Sequence, residues 1–151
     1  MILPDFKVFN KDGRLLGVDW GARRTGIAIS DESREFVFTR EPIFTEDADG
    51  QVQQILELVE SEKVVGIVIG LPLRMDGSES ETTVAVRAFA ERLSEKTDVP
   101  IMFIDETLSS ATAQEQMGRV RRTEIKEKLD SNAARVILEN AIAIIARVIS
   151  C

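Results

Sequence analysis

The stretch Leu15–Ser30, LLGVDWGARRTGIAIS, decides how the rest of the chain is read. Two apolar runs of β type, Leu15–Asp19 and Gly26–Ser30, are joined by a turn framed by Gly21 and Gly26, and a lone carboxylate, Asp19, stands where the first run ends. Glycine tolerates positive φ and close backbone approach, so this frame lets strand turn into strand with little bulk beside the carboxylate. Asp19 then has two readings. Solvated, it is a turn residue that bonds its own backbone. At the end of a buried central strand it faces a cleft, where it holds a divalent cation or positions a phosphate.

The pattern D-x-G-x-x-x-x-G over Asp19–Gly26 is similar to two unrelated chemistries. In RNase H-like nucleases the first-strand aspartate binds metal; in actin-like phosphotransferases the equivalent loop grips ATP phosphate. Length separates them. With 151 residues, 44% of them apolar, the chain can bury one real core but not two ordinary ones. The actin-like alternative places its nucleotide between two lobes and is disfavoured. Residues 1–151 are expected to form a single domain, with 1–13 as an extended lead-in.

Composition removes several classes of chemistry. No histidine occurs, which excludes Ser-His-Asp and Cys-His arrangements and every His-ligated metal site. The single cysteine, Cys151, allows no disulfide framework within the chain and fits a reducing cytoplasm. Carboxylates remain for catalysis. The net charge of −7 and pI near 4.8 would repel nucleic acid, so any such binding needs a local basic patch and metal ions. Met1–Lys11 has no sustained apolar run, and the apolar segment near the C-terminus is interrupted by Arg135, Glu139 and Arg147, so neither a signal peptide nor a membrane partner is expected.

In chain order, Gly26–Ser30 and the alternating Glu35–Phe44 follow the first strand, an antiparallel three-strand meander. Val52, Ile55, Leu56 and Val59 predict a helix over Gly50–Glu62, capped by Asp49 or Gly50. Val64–Leu71, VVGIVIGL, has the unbroken apolar character of a parallel strand buried on both faces. Pro72 ends it, and Leu73–Glu79 forms a loop. Glu81–Glu95 is a helix with Val86, Phe89, Ala90 and Leu93 on one face, and Ile101–Ile104 is a strand running into Asp105-Glu106. A helix capped by Ser109 or Ser110 runs to about Met117, the basic stretch Gly118–Lys128 is a loop, and the closing helix starts near Asp130-Ser131. The expected class is α/β: a mixed sheet with a three-strand meander, then alternating helices and parallel strands.

Most acidic residues lie on polar helix faces. Asp19, Glu106 and Asp130 differ, because ligands of an open α/β sheet gather at the carboxyl ends of its strands. Two strand ends and a helix start could bring the three together. Such a trio could hold two magnesium ions, hard cations that take oxygen ligands, across a phosphodiester. Each also has a plainer reading: Asp130 as an N-cap, Glu106 as a salt-bridge partner at a strand end.

Four stretches in register, GVDWGARRTGIAIS, VIGLPLRMDGSES, FIDETLSS and LDSNAARVILE, closely resemble the signatures of the YqgF (RuvX) family, bacterial proteins described as Holliday junction resolvases and as pre-16S rRNA nucleases. The resemblance runs from about Arg14 to the final helix. It implies an RNase H-like fold and metal-dependent phosphodiester hydrolysis in processing the 5′ end of small-subunit ribosomal RNA precursors, with the family's acidic positions on Asp19, Glu106 and Asp130. It places a basic residue at Arg23, and Pro72 and Gly77 shape a tight turn from which Arg74 could reach a phosphate. Many members have arginine after the Asp-Glu pair; here Thr107 stands there, so a phosphate or metal contact is lost or altered.

The leading expectation is an endonuclease using Mg2+ or Mn2+ on structured RNA, pre-16S rRNA, through Asp19, Glu106 and Asp130. Arg121 and Arg122 of the basic loop, together with Arg23, Arg24 and Arg74, would meet substrate phosphates. The alternatives are a resolvase of branched DNA and a non-catalytic nucleic-acid-binding module of ribosome assembly. Retention of three uncompensated carboxylates beside phosphates argues against a pure binding module. A cytoplasmic monomer or weak homodimer is expected.

Overall fold

The computed structural model describes residues 13–22, 24–44, 47–73, 76–105 and 133–146. Strands β1 (Arg14–Asp19), β2 (Thr25–Ser30) and β3 (Val37–Ile43) lead into helix α1 (Ala48–Ser61), strand β4 (Val64–Leu71), helix α2 (Glu81–Lys96) and strand β5 (Ile101–Asp105). A further helix, α3, covers residues 133–146. The strands form one sheet in the order β3-β2-β1-β4-β5. β1/β2 and β2/β3 pair antiparallel, β1/β4 and β4/β5 parallel. The meander and the parallel extension are therefore as the apolar patterns imply.

Side-chain alternation sends successive strand residues to opposite faces, and each face has its own core. On one, Leu16, Val18, Ile27, Ile29, Ile67, Ile69 and Ile101 pack against Val52 and Ile55 of α1 and against Val86, Phe89, Ala90 and Leu93 of α2. On the other, Leu15, Ala28, Val68 and Met102 pack against Ala134, Ile137, Leu138, Ala141 and Ile145 of α3. β4 contributes to both cores, which is why its sequence is apolar without alternation. Full burial of one such Leu or Ile side chain contributes roughly 1.5–3 kcal/mol. An exposed pair such as Arg135–Glu139 on α3 contributes about 0.3–0.5 kcal/mol. The two apolar cores hold the layers together.

Helix α1 starts earlier than expected. Neither Asp49 nor Gly50 is its cap: the Asp47 side chain accepts from the Asp49 and Gly50 amides, and the helix begins at Ala48. The apolar period that suggested the later start becomes visible only at Val52, whereas capping is decided by the orphan amides of the first turn. Asp49 instead lies in that turn, where its charge suits the helix dipole, and meets Arg92 at 3.1 Å. α2 carries a capping box between Ser80 and Thr83, and the Thr83 hydroxyl also donates to the Pro72 carbonyl, tying the end of β4 to the start of α2.

Of the segment between β4 and α2, residues 72–73 and 76–80 are described. Leu73 and Glu79 form an antiparallel bridge, and Gly77 has φ +86°. Asp76 accepts from the Ser78 amide at 2.9 Å and hydroxyl at 2.6 Å. These bonds favour the ionised carboxylate and lower its pKa below the usual 3.8. The expected helix from Ser109 or Ser110 and the Gly118–Lys128 loop lie outside the described residues. Among the described residues no helix is long and apolar enough to cross a membrane.

Candidate active site at the carboxyl edge of the sheet

Asp19 is the last residue of central strand β1 and is half-buried. Its side is set by parity: Leu15 belongs to the α3 core, and Gly17 lies directly under α3, so Asp19 continues the α3 face. Its partner in register on β2 is Gly26. On β4, the register Val18↔Ile69 continued by one residue reaches Gly70. Both neighbours are glycines, so neither adds a side chain beside the carboxylate.

Gly17 sets how close α3 comes. A Cβ there would lie 2.9 Å from the Ala134 carbonyl oxygen and 2.9 Å from the Leu138 Cβ, closer than real Cβ contacts. The bare backbone lets the first turns of α3 rest directly on β1, two residues before Asp19. The N-terminal end of α3 thus sits near the same sheet edge as the carboxylate.

The turn after Asp19 is held by residues that the motif reading did not single out. The side chain of Gln51, 1% exposed, accepts from the Trp20 indole N–H at 3.0 Å and donates to the Gly21 carbonyl at 3.0 Å. Trp20 packs against Phe89 with ring centroids 6.2 Å apart. The Thr25 hydroxyl accepts from the Gly21 amide at 3.4 Å and donates to the Gly21 carbonyl at 3.3 Å. A Cβ on Gly21 would fall 2.2 Å from the Arg24 carbonyl oxygen, so only glycine fits. The sequence did carry a signal for Gln51: an uncharged polar residue preceding Val52 at the start of the apolar face of α1.

Arg24, expected to meet substrate, lies at the far end of this turn with its guanidinium carbon 5.4 Å from the Phe44 ring centroid. Asp105 ends β5, opposite Leu71. On β5, Met102 and Ile104 face α3 whereas Phe103 packs on the α1/α2 side, so Asp105 belongs by parity to the face away from Asp19. Glu106, Asp130, Arg23, Arg74, Arg121 and Arg122 lie outside the described residues. Among the described residues no three His, Cys, Asp or Glu side chains are grouped to hold a metal. Asp19 alone of the expected trio is described, and its oxygen donors, in a chain without histidine, suit a hard divalent cation.

Comparison with known proteins gives this geometry a context. The sequence model of the family described as "RuvX: Holliday junction resolvase" matches residues 13–143. A protein of Maridesulfovibrio salexigens named "Putative pre-16S rRNA nuclease" is 41% identical over 132 residues, 86% of this chain and 98% of that one. A protein of the same name from Rhizobium meliloti is 39% identical over 128 residues, 83% of this chain and 78% of its own. Among solved structures, T. thermophilus RuvC in complex with Holliday junction substrate superposes with a TM-score of 0.57 at 15% identity, over 89% of this chain and 95% of that one. The yeast mitochondrial Holliday junction resolvase Ydc2 gives 0.56 at 14% identity, over 93% and 82%. These likenesses identify the fold as RNase H-like, and with a family match spanning residues 13–143 and relatives near 40% identity, the chain belongs to the RuvX family.

Proposed function

We propose that this protein is a metal-dependent endonuclease that hydrolyses phosphodiesters in the 5′ processing of pre-16S ribosomal RNA, in the cytoplasm. The observation that carries the reading is the position of Asp19: a half-buried carboxylate at the carboxyl end of the central strand, on the face where the first turns of α3 rest on Gly17. Two described features support the other members of the trio. Met102 and Ile104 of β5 lie on the α3 face, and Glu106 follows β5 directly in the sequence. Asp130 stands three residues before the described start of α3, whose first turns lie over β1.

In this reading Asp19, Glu106 and Asp130 hold Mg2+ or Mn2+, which when bound supplies charge neutralisation and an activated water for in-line displacement. The chain's own part is to fix the carboxylates and orient the strand. The Gln51–Trp20–Gly21 brace keeps the backbone after Asp19 in place, and Arg24, with Arg23, Arg74, Arg121 and Arg122, offsets an overall charge of −7 next to the phosphates.

The family description favours a second reading, resolution of branched DNA, and one experiment separates the two. End-labelled precursor rRNA and a four-way DNA junction are incubated side by side with magnesium and with chelator. Cleavage of the RNA alone, abolished by chelator, is expected. Asp19→Asn removes a ligand charge at nearly constant shape and should abolish that cleavage while leaving the circular dichroism spectrum unchanged; wild-type cleavage by the variant would remove Asp19 from the site.

A further inference from the structure

Three phenylalanines, Phe36, Phe38 and Phe44, are exposed around β3, and Phe44 is the most exposed at 69%. Their positions differ. Phe36 precedes β3 at the sheet end remote from Asp19, near the pair Ser30↔Val37. Phe38 pairs with Ile29 and so belongs to the α1/α2 face. Phe44 follows Ile43, which pairs with Thr25 at the same sheet edge as the pair Asp19↔Gly26.

An irregularity in strand pairing gives Phe44 its direction. Ile27 pairs with Arg40, yet Thr25 pairs with Ile43, so β3 holds one extra residue over this interval. Such a bulge re-aims the side chains beyond it. Here it turns Ile43 into the α1/α2 core, and the next residue, Phe44, takes the opposite sense, the face of Asp19. Arg24, of the same parity as Gly26 and Ala28, comes to lie over the Phe44 ring at 5.4 Å. With two strand spacings across the sheet and about two residues along it, the Cα atoms of Phe44 and Asp19 are roughly 12 Å apart. That is the reach of a nucleotide or two from a phosphodiester at Asp19.

We propose that Phe44, backed by the Arg24 guanidinium, is a stacking platform for an unpaired base of the nucleic-acid strand whose phosphodiester lies at Asp19. An exposed aromatic face beside an arginine binds bases of any identity, because every base offers a π-face and the arginine adds charge toward the backbone. The platform selects single-stranded or opened substrate over continuous duplex, since a stacked and paired base presents no free face to the ring. The inference rests on the nuclease reading above and adds a substrate-contacting residue to it.

The test uses the full chain in chelator, so that binding is read without cleavage, with a short fluorescein-labelled unstructured RNA, the DNA of the same sequence, and a blunt duplex. Phe44→Ala should weaken binding of both single strands by about 5- to 100-fold, while Phe44→Trp stays within about 3-fold of the wild type. Placing an abasic nucleotide at each position in turn should reveal one position where wild-type affinity drops and where Phe44→Ala adds no further loss. Equal affinities of wild type and Phe44→Ala for a strand that the wild type binds and, with magnesium, cleaves would overturn the platform and leave the nuclease reading intact. A wild type that binds none of these single strands would overturn the platform, and the precursor-rRNA cleavage assay above judges the nuclease reading separately. A change of sedimentation coefficient in Phe44→Ala, with unchanged affinity, would overturn the platform by assigning the ring to a contact between copies of the chain.

Discussion

Replacing Gln51 by Leu tests whether the turn after Asp19 is held from α1. The Gln51 amide makes two bonds of 3.0 Å, and their polarity is forced: the Trp20 indole can only donate and the Gly21 carbonyl can only accept. Leucine keeps the volume, strands the Trp20 indole N–H and leaves the Gly21 carbonyl only its 3.3 Å bond from the Thr25 hydroxyl. A buried polar group left without a partner costs about 1–3 kcal/mol. Trp20 and Gly21 are each half-buried, so water recovers part of the loss. A net destabilisation of about 2 kcal/mol remains, which in a chain of this size lowers Tm by roughly 4–8 °C. Thermal unfolding followed by circular dichroism gives the global effect. Trp20, the only tryptophan, gives the local one through its fluorescence and its indole N–H resonance. Gln51→Glu adds a signed pH dependence. Burial raises the folded pKa of the new carboxyl above about 4.3, and the protonated form can still donate to Gly21. That variant should therefore approach wild-type stability below about pH 4 and lose it as pH rises through the raised value. A Tm of Gln51→Leu within 1 °C of wild type, with an unmoved indole resonance, would refute the brace.

Three further outcomes are expected. Gly17→Ala places a Cβ 2.9 Å from the Ala134 carbonyl oxygen and the Leu138 Cβ, so α3 must lift from β1; a loss of about 1–3 kcal/mol in urea unfolding is expected, with faster amide exchange in α3 than in α1. Asp76 should titrate below 3.8 by NMR, because Ser78 donates twice to its charged form; the ordering these bonds give residues 76–78 is present above the unfolded pKa and is lost as pH falls through the lower folded one, an effect that Ser78→Ala reduces by removing the hydroxyl bond while the amide at position 78 still donates. Charge reversal at Arg121 and Arg122 should weaken RNA binding and flatten its dependence on log salt, since each lost phosphate contact releases fewer counterions; an unchanged slope would shift the contact surface to Arg23, Arg24 and Arg74.

Periodicity by itself carried most of the architecture. The unbroken run of Val64–Leu71 announced a strand buried on both faces, and the apolar face of Glu81–Glu95 matched the buried side of α2, because burial acts on side chains at intervals that the backbone geometry dictates. The position of Asp19 at a strand end was also readable, since the run of apolar residues stops there. Its setting was not. That Gly17 seats α3 against β1, that Gln51 braces Trp20 and Gly21 from 30 residues away, and that an extra residue in β3 swings Phe44 to the side of Asp19 all depend on which strands become neighbours and in what register. The start of α1 shows the same limit at short range, because Asp47 was selected by the amides it could reach rather than by the apolar period. Local sequence sets the repeat of each element through covalent geometry; which residues meet across elements is set by packing of the whole sheet, and the surroundings of the Asp19 carboxylate are made of such meetings.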